Sequence, residues 1–187
     1  MLTSTHARHQ QRTGYTLIEL LLVVAVLGLA SAILIPSLSA GDSLATQGAV
    51  RRIIGDLHFA QSDALAHQET RRVQFFDDGR GYVITRSPYD PDVDYISDPL
   101  ARAGTDKAYV VDFNEDDRFA GVTISAVDID GGARFITFDE LGGSITGGNN
   151  PGIGGSITVT SNNASYRIDI DPFTGKLTVV NVGGDDD

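Results

Sequence analysis

Hydrophobic and polar residues follow three different patterns along this chain. The first is an apolar run from Tyr15 to Ile35, 21 residues in which Glu19 is the one charged side chain. At a helical rise of about 1.5 Å per residue, this run covers the roughly 30 Å of a bilayer's hydrocarbon core. Residues 15–36 are therefore predicted to form a membrane-spanning helix.

The second pattern is amphipathic and runs from Ser43 to about Ala66. Apolar residues recur at spacings of three and four, as on one face of a helix, and the polar residues, Asp56 among them, are assigned to the other face. Gly48 and Gly55 each cost about 1 kcal/mol against alanine, so this helix depends on packing. Residues 37–70 are predicted to continue the helix as an amphipathic stalk. The apolar positions are Val50, Ile53, Ile54, Leu57, Ala60 and Ala64.

The third pattern begins after Thr70, where apolar and polar residues alternate as in β-strands. A hairpin is predicted around residues 77–81, and long connections at 87–107 and 142–155. We expect 71–187 to form an antiparallel β-sandwich of short strands packed on the helix, which gives an α+β fold. The further strands are predicted at 109–113, 122–128, 134–138, 156–161, 165–170 and 176–182.

Composition and charge limit the classes of protein. The 147 residues after Ala40 suffice for one domain, and the lack of cysteine excludes disulfides and thiolate metal sites. Arg8 and Arg12 make the N-terminus basic, whereas 12 basic and 24 acidic residues follow Ala40. The positive-inside rule therefore predicts a cytoplasmic N-terminus and an acidic domain beyond the membrane. Because that domain repels phosphate, no nucleic-acid partner is expected.

Glu19 is the unusual residue of the apolar run, because a charge there costs on the order of a few kcal/mol unless it is paired or reaches water. Three interpretations are open. Thr16 and Glu19 could form a capping box, in which the glutamate reaches a free backbone N–H. The run could be a secretory signal peptide cut near Ser37, Ser39 and Ala40, although a glutamate in its core argues against this. The third interpretation is that Glu19 attracts a cation within the membrane.

The sequence from Gly14 to Gly28 resembles the N-terminal processing and methylation motif of type IV pilins and type II secretion pseudopilins. That motif has a glycine, a hydrophobic or aromatic residue, and a glutamate four positions further on, ahead of a long apolar run. Gly14, Tyr15 and Glu19 match it in order, although the family more often has phenylalanine at the position of Tyr15. Pro36 lies 21 residues after Tyr15, where many members of the family also have proline.

The resemblance implies a role for each of these residues. A prepilin peptidase and methyltransferase would cut after Gly14 and methylate Tyr15. Glu19 would pair with the terminal amine of a neighbouring subunit. Gly28 and Pro36 are expected to make the helix flexible, although tolerated irregularity of the helix is an equal alternative.

The resemblance also implies partners and a location. Residues 1–14 would be a cytoplasmic leader peptide, and 71–187 a periplasmic domain. The chain would be a single-pass inner-membrane protein that assembles into a fibre. Its partners would be other pseudopilins or pilins and an inner-membrane assembly platform.

Beyond the N-terminus, the chain resembles the H-type minor pseudopilins and their FimT-like relatives, through residues 55–64, 138–142 and 172–176. FimT-like minor pilins that bind DNA carry basic residues near the C-terminus, whereas this chain ends in Asp185, Asp186 and Asp187. The expected function is therefore that of a minor pseudopilin, a structural subunit of the periplasmic fibre that drives protein export in a type II secretion system. The alternative is a minor type IV pilin acting in pilus assembly, adhesion or uptake.

No enzymatic activity is expected, because the chain has no Gly-x-Ser-x-Gly, His-Glu-x-x-His or complete phosphate-loop motif. The two histidines that follow Ala40, His58 and His67, lack the spacing of metal ligands and are expected to be solvated.

A calcium site is the one cofactor that the sequence suggests. Asp90, Asp92 and Asp94 alternate as at the start of an EF-hand loop. Tyr95 stands where that loop has its glycine, and Ala101 stands where it has its closing glutamate. The segment is therefore either a solvated acidic loop or a weak calcium site.

Overall fold

The structure is a computed structural model that describes residues 15–86, 96 and 108–183, without the side chains of 32–42. The chain divides into two compact units, Met1–Leu38 and Ser39–Asp187. Helix α1 (Leu17–His67) contributes its first part to one unit and its second part to the other.

In the first unit, helix α1 begins two residues after Tyr15, and the side chains of residues 15–31 are all exposed. Among the residues that the structure describes, no helix is both long enough and apolar enough to cross a membrane. The membrane-spanning assignment of residues 15–36 therefore stays a prediction.

The second unit contains the second part of α1, nine described strands and a short 3₁₀ helix at Asp117–Phe119. All strand pairs are antiparallel, in one sheet of order β3-β2-β1-β5-β6 and another of order β4-β7-β8-β9. The predicted α+β fold, with an N-terminal helix and antiparallel sheets, is confirmed. The strands are β1 (Arg71–Phe75), β2 (Gly81–Arg86), β3 (Val110–Asp112), β4 (Thr123–Ile129), β5 (Phe135–Phe138), β6 (Ser144–Ile145), β7 (Gly155–Thr160), β8 (Ser165–Ile170) and β9 (Leu177–Asn181).

One hydrophobic core joins the helix to both sheets. Burying a single Ile or Leu side chain contributes about 1.5–3 kcal/mol, so this shared core dominates the stability of the unit. The predicted apolar stripe of the helix, Val50 to Ala64, is confirmed, because all six of its apolar residues except the half-buried Ile54 are buried. The helix supplies Ala49, Val50, Ile53, Leu57, Ala60 and Ala64; the first sheet supplies Val73, Phe75, Tyr82, Ile84, Ile136 and Phe138; the second supplies Ile124, Ile129, Ile157, Val159, Ile168 and Ile170.

Two turns meet the helix at Gln61. Its side-chain Nε2 donates a hydrogen bond of 2.6 Å to the carbonyl of Gly142 and one of 3.5 Å to the carbonyl of Thr174. Gly142 and Gly175 both have positive φ angles, of 77° and 64°, which favour glycine. The segments 138–142 and 172–176, both of which carry the resemblance to H-type pseudopilins, thus converge on one helical side chain.

The predicted strands are all present, with ends that differ by one or two residues, whereas two short elements were missed. Strand β6 lies within the glycine-rich stretch 142–155, which was expected to be a connection, and the 3₁₀ helix was not expected. Both are too short to show a period in the sequence. The helix ends at His67 because Gln68 adopts a left-handed conformation with φ 54°, without the glycine that usually marks such an end.

Substitution by alanine should change the stability of the fold in opposite directions at two glycines, Gly55 and Gly81. At Gly55, on the exposed side of the helix, an added Cβ would meet nothing within 4 Å, so Gly55→Ala should stabilise the fold by about 0.5–1 kcal/mol. At Gly81, in β2, the Cβ would overlap the carbonyl of Val111, so Gly81→Ala should destabilise it by about 2 kcal/mol or more. Urea unfolding of the full chain measures both; a wild-type midpoint for Gly81→Ala would contradict the close approach of β2 and β3.

Candidate assembly site at the helix start

Thr16 caps the N-terminus of helix α1. Its hydroxyl accepts a hydrogen bond of 3.3 Å from the backbone N–H of Glu19. Its carbonyl accepts bonds of 3.1 Å from Glu19 N–H and 3.2 Å from Leu20 N–H. This geometry satisfies backbone donors that a helix start otherwise leaves free, so the N-cap part of the capping-box interpretation is present.

The carboxylate of Glu19 does not complete the box. Within the part of the chain that the structure describes, it has no hydrogen-bond or ion-pair partner, and the side chain is exposed. Only the backbone of Glu19 takes part in the cap. Because an acid in the first turn of a helix is favoured by the helix dipole, the charge is tolerated there and stays available to a cation from outside this chain.

The other predicted site residues are placed only in part. Tyr15, with 84% of its surface exposed, directly precedes the capping residue, whereas Gly14 lies outside the described residues. Gly28 and Pro36 both lie within α1; an added Cβ at Gly28 would meet nothing within 4 Å, and the side chain of Pro36 is not described. The flexibility predicted for them stays a prediction.

The calcium candidates Asp90, Asp92 and Asp94 also lie outside the described residues, so that site stays a prediction. Elsewhere in the described ranges, no group of three or more His, Asp or Glu side chains is arranged to hold a metal ion. The two histidines of the stalk, His58 and His67, are exposed, as expected.

A buried polar cluster on the second part of the helix was missed. Asp56 was assigned to the polar face, and this was wrong, because only 5% of it is exposed. Its carboxylate accepts hydrogen bonds from Tyr82 Oη at 2.5 Å, Tyr109 Oη at 2.8 Å and Arg52 Nε at 2.8 Å. The sequence did carry a signal: Asp56 lies three residues after Ile53, on the same helical face.

This cluster fixes the helix to the first sheet. Tyr82 lies in β2, and Tyr109 directly precedes β3, so one carboxylate connects the helix with two neighbouring segments. The ring of Tyr109 also stacks on Phe59 at a centroid distance of 5.3 Å. Because the buried carboxylate of Asp56 accepts three hydrogen bonds, it is not left without partners, and these bonds hold the helix in one register on the sheet.

The model of the family described as type II transport protein GspH matches residues 49–175, well over half of the chain. The chain belongs to the GspH family. A second model, the prokaryotic N-terminal methylation motif, matches residues 10–35. The chain is thus a pilin-like protein of the GspH type, a family of structural subunits, and its motif implies processing by a prepilin peptidase and partners of the pilin type.

A solved structure with similarity to this GspH family member is the type IV minor pilin FimU of Pseudomonas aeruginosa. The two chains share 17% sequence identity, the match covers 72% of this chain and 87% of that one, and the TM-score is 0.43. Comparison with the curated proteins gives no match.

Because of the Asp56 cluster, the free energy of unfolding is expected to fall at high pH. Burial and the nearby Asp56 carboxylate raise the pKa of Tyr82 well above its ordinary value of 10.0. Since the folded pKa exceeds the unfolded one, this stabilisation is complete below pH 10 and is lost as the pH rises through the folded pKa. Tyr82→Phe should lower the free energy of unfolding by about 1 kcal/mol at neutral pH. Above pH 10, the free energy of unfolding of this variant should fall less steeply than that of the wild type.

Chemical denaturation of the full chain across this pH range measures the effect. Tyr166→Phe is the matched control, because the hydroxyl of Tyr166 bonds to the Gln47 amide and not to a carboxylate. If Tyr82→Phe and Tyr166→Phe respond to pH in the same way, the Asp56 cluster is not the cause.

Proposed function

We propose that this protein is a minor pseudopilin, a structural subunit of the periplasmic fibre of a type II secretion system. Membership of the GspH family and the N-terminal methylation motif support a fibre subunit. The single observation that carries the proposal is the exposed carboxylate of Glu19, which has no partner among the described residues although the helix start around it is capped.

In this proposal, the peptidase cuts after Gly14, and Tyr15 becomes the methylated N-terminus. The terminal amine of an incoming subunit then meets Glu19 of its neighbour. In an apolar setting such a pair attracts by several kcal/mol, but desolvation of both charges cancels much of the gain. Loss of one partner therefore harms assembly more than the intact pair stabilises the fibre, and this makes incorporation selective.

The same proposal includes the location and the remaining partners. Residues 15–36 anchor the chain in the inner membrane before assembly, with residues 1–14 on the cytoplasmic side and the acidic domain in the periplasm. An inner-membrane assembly platform extracts the subunit into the fibre. Charge supports this topology, because Arg8 and Arg12 precede the apolar run and 24 acidic residues follow Ala40.

Charge also supports secretion over DNA uptake. The chain has a formal net charge of −11, and its C-terminal end carries Asp185, Asp186 and Asp187. A surface of this sign repels the phosphate backbone. A fibre that moves proteins outward has no need of a basic surface, so the acidic domain fits a secretion pseudopilin.

Glu19→Gln should prevent incorporation into the fibre, with a decrease of about tenfold or more in the sheared fibre fraction. The substitution removes the charge but leaves the helix cap intact, because the bond to Thr16 uses the backbone N–H of residue 19. Thr16→Val is the matched control: it loses the cap, at about 1 kcal/mol, and keeps the carboxylate, so it should still be incorporated. Immunoblots of sheared fibres and membranes measure both variants.

Mass spectrometry of the same samples separates processing from assembly. Both variants should begin at methylated Tyr15. If Glu19→Gln is processed and incorporated like the wild type while Thr16→Val is not, the cap and not the charge directs assembly, and the proposal fails.

Deletion of the gene should abolish secretion of exoproteins while adhesion and natural transformation stay unchanged. The reason is that the proposed fibre exports proteins and does not bind surfaces or DNA. Exoprotein activity in culture supernatants, surface attachment and transformation frequency measure the three functions, with the wild-type gene supplied in trans as the control. Normal secretion with impaired attachment or transformation would instead indicate a minor type IV pilin.

A further inference from the structure

Strand β9 forms an open edge of the second sheet. It pairs with β8 on one side, and no other strand of the described chain pairs with it. Natural proteins usually protect such an edge with charges, proline or a bulge. Here residues 177–183, Leu-Thr-Val-Val-Asn-Val-Gly, contain no charge and no proline. Val179, Val180 and Val182 are 43%, 36% and 44% exposed.

The ladder between β8 and β9 determines which backbone groups are free. Val182 N–H donates to Ser165 and Asp171 N–H donates to the carbonyl of Lys176, both at 2.9 Å. Because inward and outward residues alternate in an antiparallel ladder, Leu177, Val179 and Asn181 direct their N–H and C=O groups away from β8. In the described chain these groups have no backbone partner, so they are available to a further strand.

A groove beside this edge would receive the side chains of such a strand. Val179 pairs with Ile168, so both lie on the core face of the sheet, yet Val179 is 43% exposed and Ile168 is fully buried. The helix therefore does not cover the last strand. The space between them, about 400 Å³, is lined by Val50, Ile54, Tyr166, Val179, Gln47 and Arg51.

Arg51 gives the groove its charge. It is exposed, and among the described residues it has no ion-pair or hydrogen-bond partner. Gln47, whose amide also lines the groove, donates a hydrogen bond of 3.1 Å from Nε2 to the hydroxyl of Tyr166. The floor of the groove is apolar and Arg51 is the one charged residue that lines it, so a ligand with apolar side chains and one carboxylate complements it.

We propose that β9 and this groove bind an extended segment of another polypeptide, which adds to the second sheet as a fifth strand. The backbone of the segment pairs with Leu177, Val179 and Asn181. Alternate apolar side chains of the segment enter the groove, and an acidic side chain pairs with Arg51. Strand addition of this kind takes affinity from backbone hydrogen bonds and specificity from alternate side chains. The inference does not depend on whether the fibre serves secretion or a pilus.

The probe is a short fluorescein-labelled peptide of alternating valine and threonine with one central glutamate. Its binding to the full chain in detergent is measured by fluorescence anisotropy. Val179→Pro should weaken binding about tenfold, because it removes an outward N–H and places a proline ring at the edge. The fold should tolerate it, since proline is accepted on edge strands where the N–H faces outward. Val180→Thr, on the opposite face of the same strand, should bind like the wild type.

A charge exchange tests the role of Arg51. Arg51→Glu should weaken binding of the glutamate peptide about two- to fivefold and strengthen binding of a matched lysine peptide. Because Arg51 is exposed and has no partner in the described chain, its replacement should leave the melting temperature unchanged.

Two results would overturn the proposal. In the first, Val179→Pro keeps a wild-type melting temperature and binds the peptide as tightly as the wild type, so the edge is not the binding site. In the second, analytical ultracentrifugation shows a dimer that Val179→Pro dissociates and the peptide does not displace, so the edge is occupied by a second copy of this chain.

Discussion

The fold of the second unit depends on the apolar face of one helix. Ala49, Ile53, Leu57 and Ala60 are buried in a core to which both sheets contribute. Both sheets bury their apolar faces in the core that they share with this helix, and a helix with Gly48 and Gly55 would be weak in isolation. Each element is therefore ordered by burial against the others. Polar contacts then help to set the position of the helix on the sheets, among them the Asp56 cluster and the bonds from Gln61 to two turns.

Asp56 and Glu19 are acids on the same helix with opposite environments. The first is buried and accepts three hydrogen bonds from its own chain, so its charge is fully compensated within the molecule. The second is exposed and has no partner among the described residues. A charge compensated internally contributes to folding, whereas an exposed charge at the helix start is favoured only by the helix dipole and stays available to a cation from another molecule. This difference separates an acid that stabilises the fold from the acid on which the proposed function rests.

Much of the fold could be predicted from the sequence, because the helical and strand patterns of apolar residues extend over long stretches. The stripe from Val50 to Ala64 predicted the buried face, and alternation predicted the strands to within one or two residues. Asp56 was assigned to the wrong face because an acid is expected in solvent, although its spacing from Ile53 placed it in the stripe. Tyr82 and Tyr109, which make that acid tolerable, are far away in sequence, so only the tertiary structure brings the donors together. The short β6 and the left-handed Gln68 left no pattern to detect.

The open edge at β9 could not be predicted for a related reason. Alternation identified the strand, but whether its outer side is covered depends on the order of strands in the sheet and on how far the helix extends over it. Lys176 and the acidic residues 185–187 flank an uncharged strand, so the charges that would normally discourage pairing lie outside it. Two sets of uncompensated groups among the described residues thus have different chemistry: the carboxylate of Glu19 at the helix start, and the outward backbone groups of β9 with the guanidinium of Arg51 on the helix beside them. In the two proposals these groups require different ligands, an amine at Glu19 and an extended segment at β9, so a substitution at one site leaves the ligand chemistry of the other unchanged.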